Sequence, residues 1–134
     1  MALILLVDDE FLVRYSMRMM LEAGGHDVNE APNGEEALAQ LAEHPCDVLI
    51  VDLVMPSKDG VETILEVRKR YPDLPIIAIS GGGPAGRIDR LDAARLFGAD
   101  AALAKPFTEA LLNGEVDKLL RSLDDATRPD RPGA

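Results

Sequence analysis

Two hydrophobic rhythms alternate along the chain. Leu3-Ile4-Leu5-Leu6-Val7 is a continuous aliphatic run, the pattern of a strand buried on both faces of a parallel sheet. From Phe11 to Ala23 the pattern is helical, and Gly24-Gly25 end it with residues that accept positive φ. Asp27 to Ala31 is a short, more polar strand that suits a position near an edge. Asn33-Gly34 is a turn signal before a second helix over Glu35 to Glu43, with Ala37, Leu38, Leu41 and Ala42 on one face and Pro45 beyond it. Val48 to Asp52 is a third strand. Val61 to Tyr71 is a third helix, with Val61, Ile64, Leu65 and Val67 at helical spacing and Pro72 as its stop. Pro75 to Ser80 is a fourth strand. After it come a glycine-rich loop, Gly81-Gly82-Gly83-Pro84-Ala85-Gly86, and a fourth helix over Ile88 to Phe97, stopped by Gly98. Ala101 to Ala104 is a fifth strand. Thr108 is placed to cap a fifth helix reaching Leu123, with Leu111, Leu112, Val116, Leu119 and Leu120 toward the sheet. Residues Asp124 to Ala134, rich in Pro, Asp and Arg with no apolar face, read as a disordered tail.

Five strand–helix units without a sixth strand predict one α/β domain over residues 1–123. Its sheet is doubly wound and parallel, most simply of order 2-1-3-4-5, with helices on both faces. No internal repeat or second domain is evident. With 134 residues, 47% of them hydrophobic, the chain can bury a core and is too apolar for disorder. No apolar stretch approaches the ~20 residues of a membrane span. No basic region precedes the first apolar run, so a signal peptide is not expected. Cys46 is the single cysteine, which excludes an internal disulfide. These features favour a soluble cytoplasmic protein without a membrane partner. A formal net charge of −10 argues against direct contact with nucleic acid and suits a cation site and basic protein partners.

The chemistry collects at the C-terminal ends of the strands, where open α/β sheets bind ligands. Strand 1 runs into Asp8, Asp9 and Glu10, strand 3 ends in Asp52, strand 4 in Ser80, and strand 5 leads to Lys105. Acids packed that closely repel one another unless a cation sits among them. Hard oxygen ligands with vacant positions suit Mg2+, which keeps several waters and shares a substrate phosphate. A cation, a lysine and a hydroxyl around one carboxylate are what phosphoryl transfer to that carboxylate needs. Each piece alone has a plainer reading: an N-cap cluster at helix 1 for the acid pair, a turn acid, a loop hydroxyl, a solvated lysine. The conjunction is what carries the argument.

At this point the chain resembles the receiver domain of two-component response regulators over about Ala2 to Leu123. The matching pieces are Val7-Asp8-Asp9-Glu10, Asp52-Leu53-Val54-Met55-Pro56 with Asp59-Gly60, Ser80-Gly81, Gly98-Ala99-Asp100 and Lys105-Pro106-Phe107. The resemblance implies a flavodoxin-like fold and a role for each position. Asp52 is the implied phosphoacceptor. Asp9 is an implied direct Mg2+ ligand, Asp8 one acting mainly through water, and the Val54 backbone carbonyl a third protein ligand beside Asp52. Ser80 would bind a phosphoryl oxygen. Lys105 would pair with the phosphoryl group, and with Asp52 in its absence. Gly81 would leave room for that group, and Pro106 would follow a cis peptide that aims Lys105 inward. The implied phosphodonor is a histidine kinase or a histidine phosphotransfer protein. The implied output is a contact with a downstream protein target, over the surface of helix 4, strand 5 and helix 5. The chain would be no conventional enzyme, although such domains slowly hydrolyse their own aspartyl phosphate. Its end close to helix 5 leads us to expect a stand-alone receiver.

One position departs from the family. Members usually carry Tyr or Phe three residues before the lysine, where this chain has Ala102. An alanine cannot couple movement of the hydroxyl to rotation of a ring. The expectation is therefore that ordering of Gly81 to Gly86 and a shift of helix 4 carry the signal. A phosphorylation-independent binding module with the same fold is the alternative. A haloacid dehalogenase-type phosphatase would want an acid two residues after the nucleophile, where Val54 stands. The glycine-rich loop matches G-x-G-x-x-G, with Asp100 at a distance that suits a ribose acid. A lone match is weak, and Pro84 removes an amide such a loop needs. His26 and His44 lie away from the strand ends and read as structural. Cys46 reads as a small buried hydrophobe, and Met17, Met19 and Met20 as core or surface packing.

Overall fold

The aliphatic runs pair with one another. A computed structural model describes residues 2–53, 60–80, 98–105 and 107–126. Strands β1 (Leu3–Val7), β2 (Asp27–Ala31), β3 (Val48–Asp52), β4 (Ile76–Ser80) and β5 (Ala101–Ala104) form one sheet. Its order is β2-β1-β3-β4-β5, and every pairing is parallel. Helices α1 (Phe11–Ala23), α2 (Gly34–Glu43), α3 (Gly60–Arg70) and α4 (Glu109–Ala126) complete the described elements. This is the predicted architecture.

Burial follows the sheet order. Every residue of β3 and β4 is buried, so these central strands tolerate no polar face. The flanking β2 alternates exposed and buried positions, and β5 is half-buried throughout, as edge strands are. Successive strand residues point to opposite faces, which splits the core in two. On one face Leu5, Val7, Leu49, Val51, Ile76 and Ala78 meet Ala37, Leu38 and Leu41 of α2 and Ile64 and Val67 of α3. On the other, Ile4, Leu6, Ile50, Ile77 and Ile79 meet Met17 and Leu21 of α1 and Leu112 and Val116 of α4.

The element ends show local chemistry at work. Asn33, predicted as a turn residue, is the N-cap of α2: its side chain accepts the Glu36 amide at 2.9 Å. Thr108 Oγ1 accepts the Leu111 amide at 3.1 Å, the expected cap. Gly25 holds φ at 91° after α1, a conformation that costs an L side chain. The last helix runs on to Ala126 rather than ending at Leu123. Asp124-Asp125-Ala126 contains no helix breaker, and Pro129 is the first beyond it. The predicted fourth helix, the loop 81–86, the Pro106 peptide and the tail from 127 lie outside the described residues.

Two tethers hold the sheet's ends. Arg68 of α3 donates to the carbonyl oxygens of Pro72, Leu74 and Gly98 and, at 2.9 Å, to Asp100 Oδ2. Asp100 Oδ2 also accepts the Ile76 amide at 2.8 Å. Asp100 therefore staples the N-terminal ends of β4 and β5, the end opposite Ser80. At the other end Gly60 donates its amide to the Leu53 carbonyl at 3.1 Å. A Cβ there would overlap the Asp52 carbonyl oxygen and Leu53 Cα. Both are backbone atoms, which cannot swing aside. Gly60→Ala is expected to destabilise the domain by about 2 kcal/mol through overpacking, measured by urea unfolding.

Candidate functional site

β1 and β3 are neighbours, with Val7 opposite Val51. The residues that follow each strand therefore emerge side by side. One carboxylate oxygen each from Asp8, Asp9 and Asp52 lies within 4.8 Å of the others, the one such acidic group among the described residues. Asp8 and Asp52 are 1% and 7% exposed, whereas Asp9 faces solvent. Glu10, delivered by the same strand, is not part of the cluster. It is exposed and stands at the N-cap of α1, making no side-chain capping bond. Its amide instead donates to Asp8 Oδ1 at 2.9 Å.

Asp8 is the most deeply buried of the three. Its Oδ2 is buried and has no hydrogen-bond partner among the described residues. Among the described residues Lys105 lies beside it, with Nζ 3.8 Å from Oδ2. The resemblance implies a pairing of Lys105 with Asp52, and the contact described is the one with Asp8 of the same cluster. Burial pushes the Asp8 carboxyl above its ordinary value of 3.8, against the opposing pull of the Glu10 amide and Lys105.

The β4–β5 pairing sets Ser80 opposite Ala104, and the Lys105 amide donates to the Ser80 carbonyl at 2.8 Å. Hydroxyl and ammonium thus arise from adjacent strand ends. Ser80 Oγ is fully buried with no hydrogen-bond partner among the described residues, as a group awaiting a ligand oxygen would be. Val54 and Gly81 lie outside the described residues. Ala102 pairs with Ala78 and is half-buried on strand β5.

The donor set fits a hard cation. Three clustered carboxylates, one with an orphaned buried oxygen, are anionic beyond what Lys105 offsets, and Mg2+ binds carboxylate oxygens while keeping waters. The other candidates separate from this site. Cys46 Sγ sits 3.5 Å from the Val48 carbonyl oxygen, and burial pushes the thiol up to about 11, which disfavours the nucleophilic thiolate. His26 is buried beneath α4, with Nε2 3.5 Å from Asp117. Sequence reasoning missed Arg14 and Glu30, which bond to each other at 2.9 Å behind the acid cluster. Only the opposite charges of helix 1 and strand 2 hinted at that pairing.

Comparison with known proteins gives a consistent answer. The response regulator receiver domain family matches residues 4–117. Response regulator MprA of Mycobacterium sp. (strain KMS) is 37% identical over 130 residues, which is 96% of this chain and 55% of that protein. Transcriptional regulatory protein ResD of Bacillus subtilis is 36% identical over 118 residues, 88% of this chain and 48% of that protein. The chain thus spans about half the length of the curated relatives it matches. A response regulator receiver domain structure from Clostridium thermocellum superposes with a TM-score of 0.85 at 28% identity, covering 92% of this chain and 98% of that one. A putative response regulator from Chloroflexus aurantiacus gives 0.83 at 33% identity, covering 90% and 98%.

The raised Asp8 value predicts a pH dependence. Because the folded pKa exceeds the unfolded one, the native state holds more protons, and stability from this group rises as pH falls through the folded value. At neutral pH the ionised, buried Asp8 costs stability. Without divalent cation, Asp8→Asn is expected to melt above the wild type at pH 7, with the difference shrinking toward pH 4. Thermal melts across that range check it.

Proposed function

The chain belongs to the response regulator receiver domain family, and on that premise we propose that it is a cytoplasmic, Mg2+-dependent phosphoryl acceptor modified at Asp52. The observation that carries this reading is the convergence of Asp8, Asp9 and Asp52 within 4.8 Å, next to Lys105 and the buried, unpartnered Ser80 hydroxyl. Asp52 Oδ attacks the phosphorus, the bond to the donor nitrogen breaks, and the imidazole leaves with the electron pair. Lys105 offsets charge on the phosphoryl oxygens, and Ser80 Oγ–H donates to one of them. When bound, Mg2+ supplies neutralisation of the acids and of the incoming phosphoryl group. Burial of Asp52 limits water at the acyl phosphate. The chain acts stoichiometrically, as an acceptor rather than an enzyme.

The donor is a phosphorylated histidine on a kinase or phosphotransfer protein. Support comes from the surface beside the acids. Phe11, Leu12, Tyr15 and Met19 of α1 are each at least half exposed. A groove of about 370 Å3 runs from Leu12 and Ser16 to Lys105 and Phe107. An apolar helix face adjoining the acceptor is what a protein donor would cover. Output passes by contact with a further protein. Ala102 favours a second reading, a binding module that needs no phosphorylation.

One experiment separates the two. Wild-type protein incubated with phosphoramidate and Mg2+ is expected to gain the mass of one phosphoryl group. Asp52→Asn, or chelation of the metal, is expected to abolish that gain, and Lys105→Ala to slow it by about a hundredfold. Intact-mass spectrometry over time is the measurement. An unmodified wild type would favour the binding module.

A further inference from the structure

The cluster of carboxylates has to be held in place, and the residue that does so stands on α1. Arg14 donates from Nη1 to the Asp8 backbone carbonyl at 2.7 Å and from Nε to Glu30 Oε1 at 2.9 Å. Its side chain is only 13% exposed. Glu30 is itself anchored: Arg18 Nη1 donates to its other oxygen at 2.7 Å, and Gln40 donates to its carbonyl at 2.8 Å. Burial alone would raise the Glu30 carboxyl, but the guanidiniums of Arg18 and Arg14 outweigh it and hold the group below its ordinary value. Glu30 is therefore an ionised, fixed counter-anion on β2.

We infer that Arg14, oriented by Glu30, is a positioning residue that fixes the Asp8–Asp9 peptide and thereby aims both carboxylates at the cation site. The peptide group is planar. Holding the Asp8 carbonyl oxygen therefore sets the direction in which Asp9 leaves the strand. The Asp8 amide is already fixed, donating to the Ala31 carbonyl at 3.2 Å. Asp9 itself is exposed and lies in a turn that opens α1 without a side-chain cap. Repulsion from Asp8 and Asp52 pushes it outward, and the guanidinium behind it resists that displacement. The task needs arginine: a planar fork serves a carbonyl and a carboxylate in different directions at once, which an ammonium does less well. This assignment rests on the reading of Asp8, Asp9 and Asp52 as a Mg2+ site, and it makes edge strand β2 part of that site.

Electrostatics and positioning predict opposite signs. Removing a cation beside three acids would by charge alone tighten Mg2+ binding. Removing a positioning residue should weaken it, and lost outer-shell partners commonly cost 10–100-fold in metal affinity. Isothermal titration with Mg2+ is to be run on wild type, Arg14→Ala and Arg14→Lys, below the melting temperature of each. Arg14→Ala is expected to bind about tenfold more weakly. Arg14→Lys, which keeps the charge but not the fork, is expected to recover only part of that loss. Should Arg14→Ala fail to fold, Arg14→Lys decides by the same sign. Unchanged or tighter binding in a folded variant, or full rescue by lysine, overturns the positioning role and leaves the cation site standing. A wild type that binds no Mg2+ overturns both.

Discussion

Three like charges at the ends of two adjacent strands are the constraint on which this structure turns. Asp8 and Asp52 are buried and Asp9 joins them from the surface. Like charges held this close repel one another. Asp8 and Asp52 cannot separate, because β1 and β3 are parallel neighbours sealed on both faces by aliphatic side chains. The packing free energy of the two cores holds the acids together. The acids in turn create a demand for positive charge, which Lys105 meets in part beside Asp8. Burial and repulsion thus store the binding potential of the site.

The surrounding polar contacts divide the work between the two ends of the sheet. At the C-terminal end, the Glu10 amide and Arg14 hold Asp8 by its side chain and its carbonyl. Gly60 brings α3 against the backbone of Asp52, where no side chain fits. At the N-terminal end, Arg68 and Asp100 tie α3 to β4 and β5. The chemistry-bearing side chains then project from anchored strands, which gives more precise placement than loops alone.

Much of this was legible in the chain. The runs Leu3 to Val7, Val48 to Val51 and Ile76 to Ile79 are continuous because both faces of those strands are covered, and their alternation with helical spacing leaves few topologies. Asp52, Ser80 and Lys105 could be assigned to one crevice because strand C-termini share an end of a parallel sheet. Boundaries were less legible. Asn33 read as a turn and serves as a cap, since the same side chain satisfies either. The end of α4 at Ala126 follows from the absence of a breaker rather than from apolar periodicity. The role of Asp100 as a staple was not legible, because it shows only in its partners, Arg68 and the Ile76 amide, which come from distant parts of the chain.

Order along the chain is sufficient to place residues at strand ends, because a parallel sheet sends every strand the same way. It therefore assigned the acids, the hydroxyl and the lysine to one site. Which charge meets which is set by side-chain reach across several strands, and no local pattern encodes that. Lys105 beside Asp8, and Arg14 bridging Glu30 to the Asp8 carbonyl, depend on the register of β2, β1 and β3 and on the rotation of α1 over them. Packing fixes those quantities only when the whole sheet has assembled.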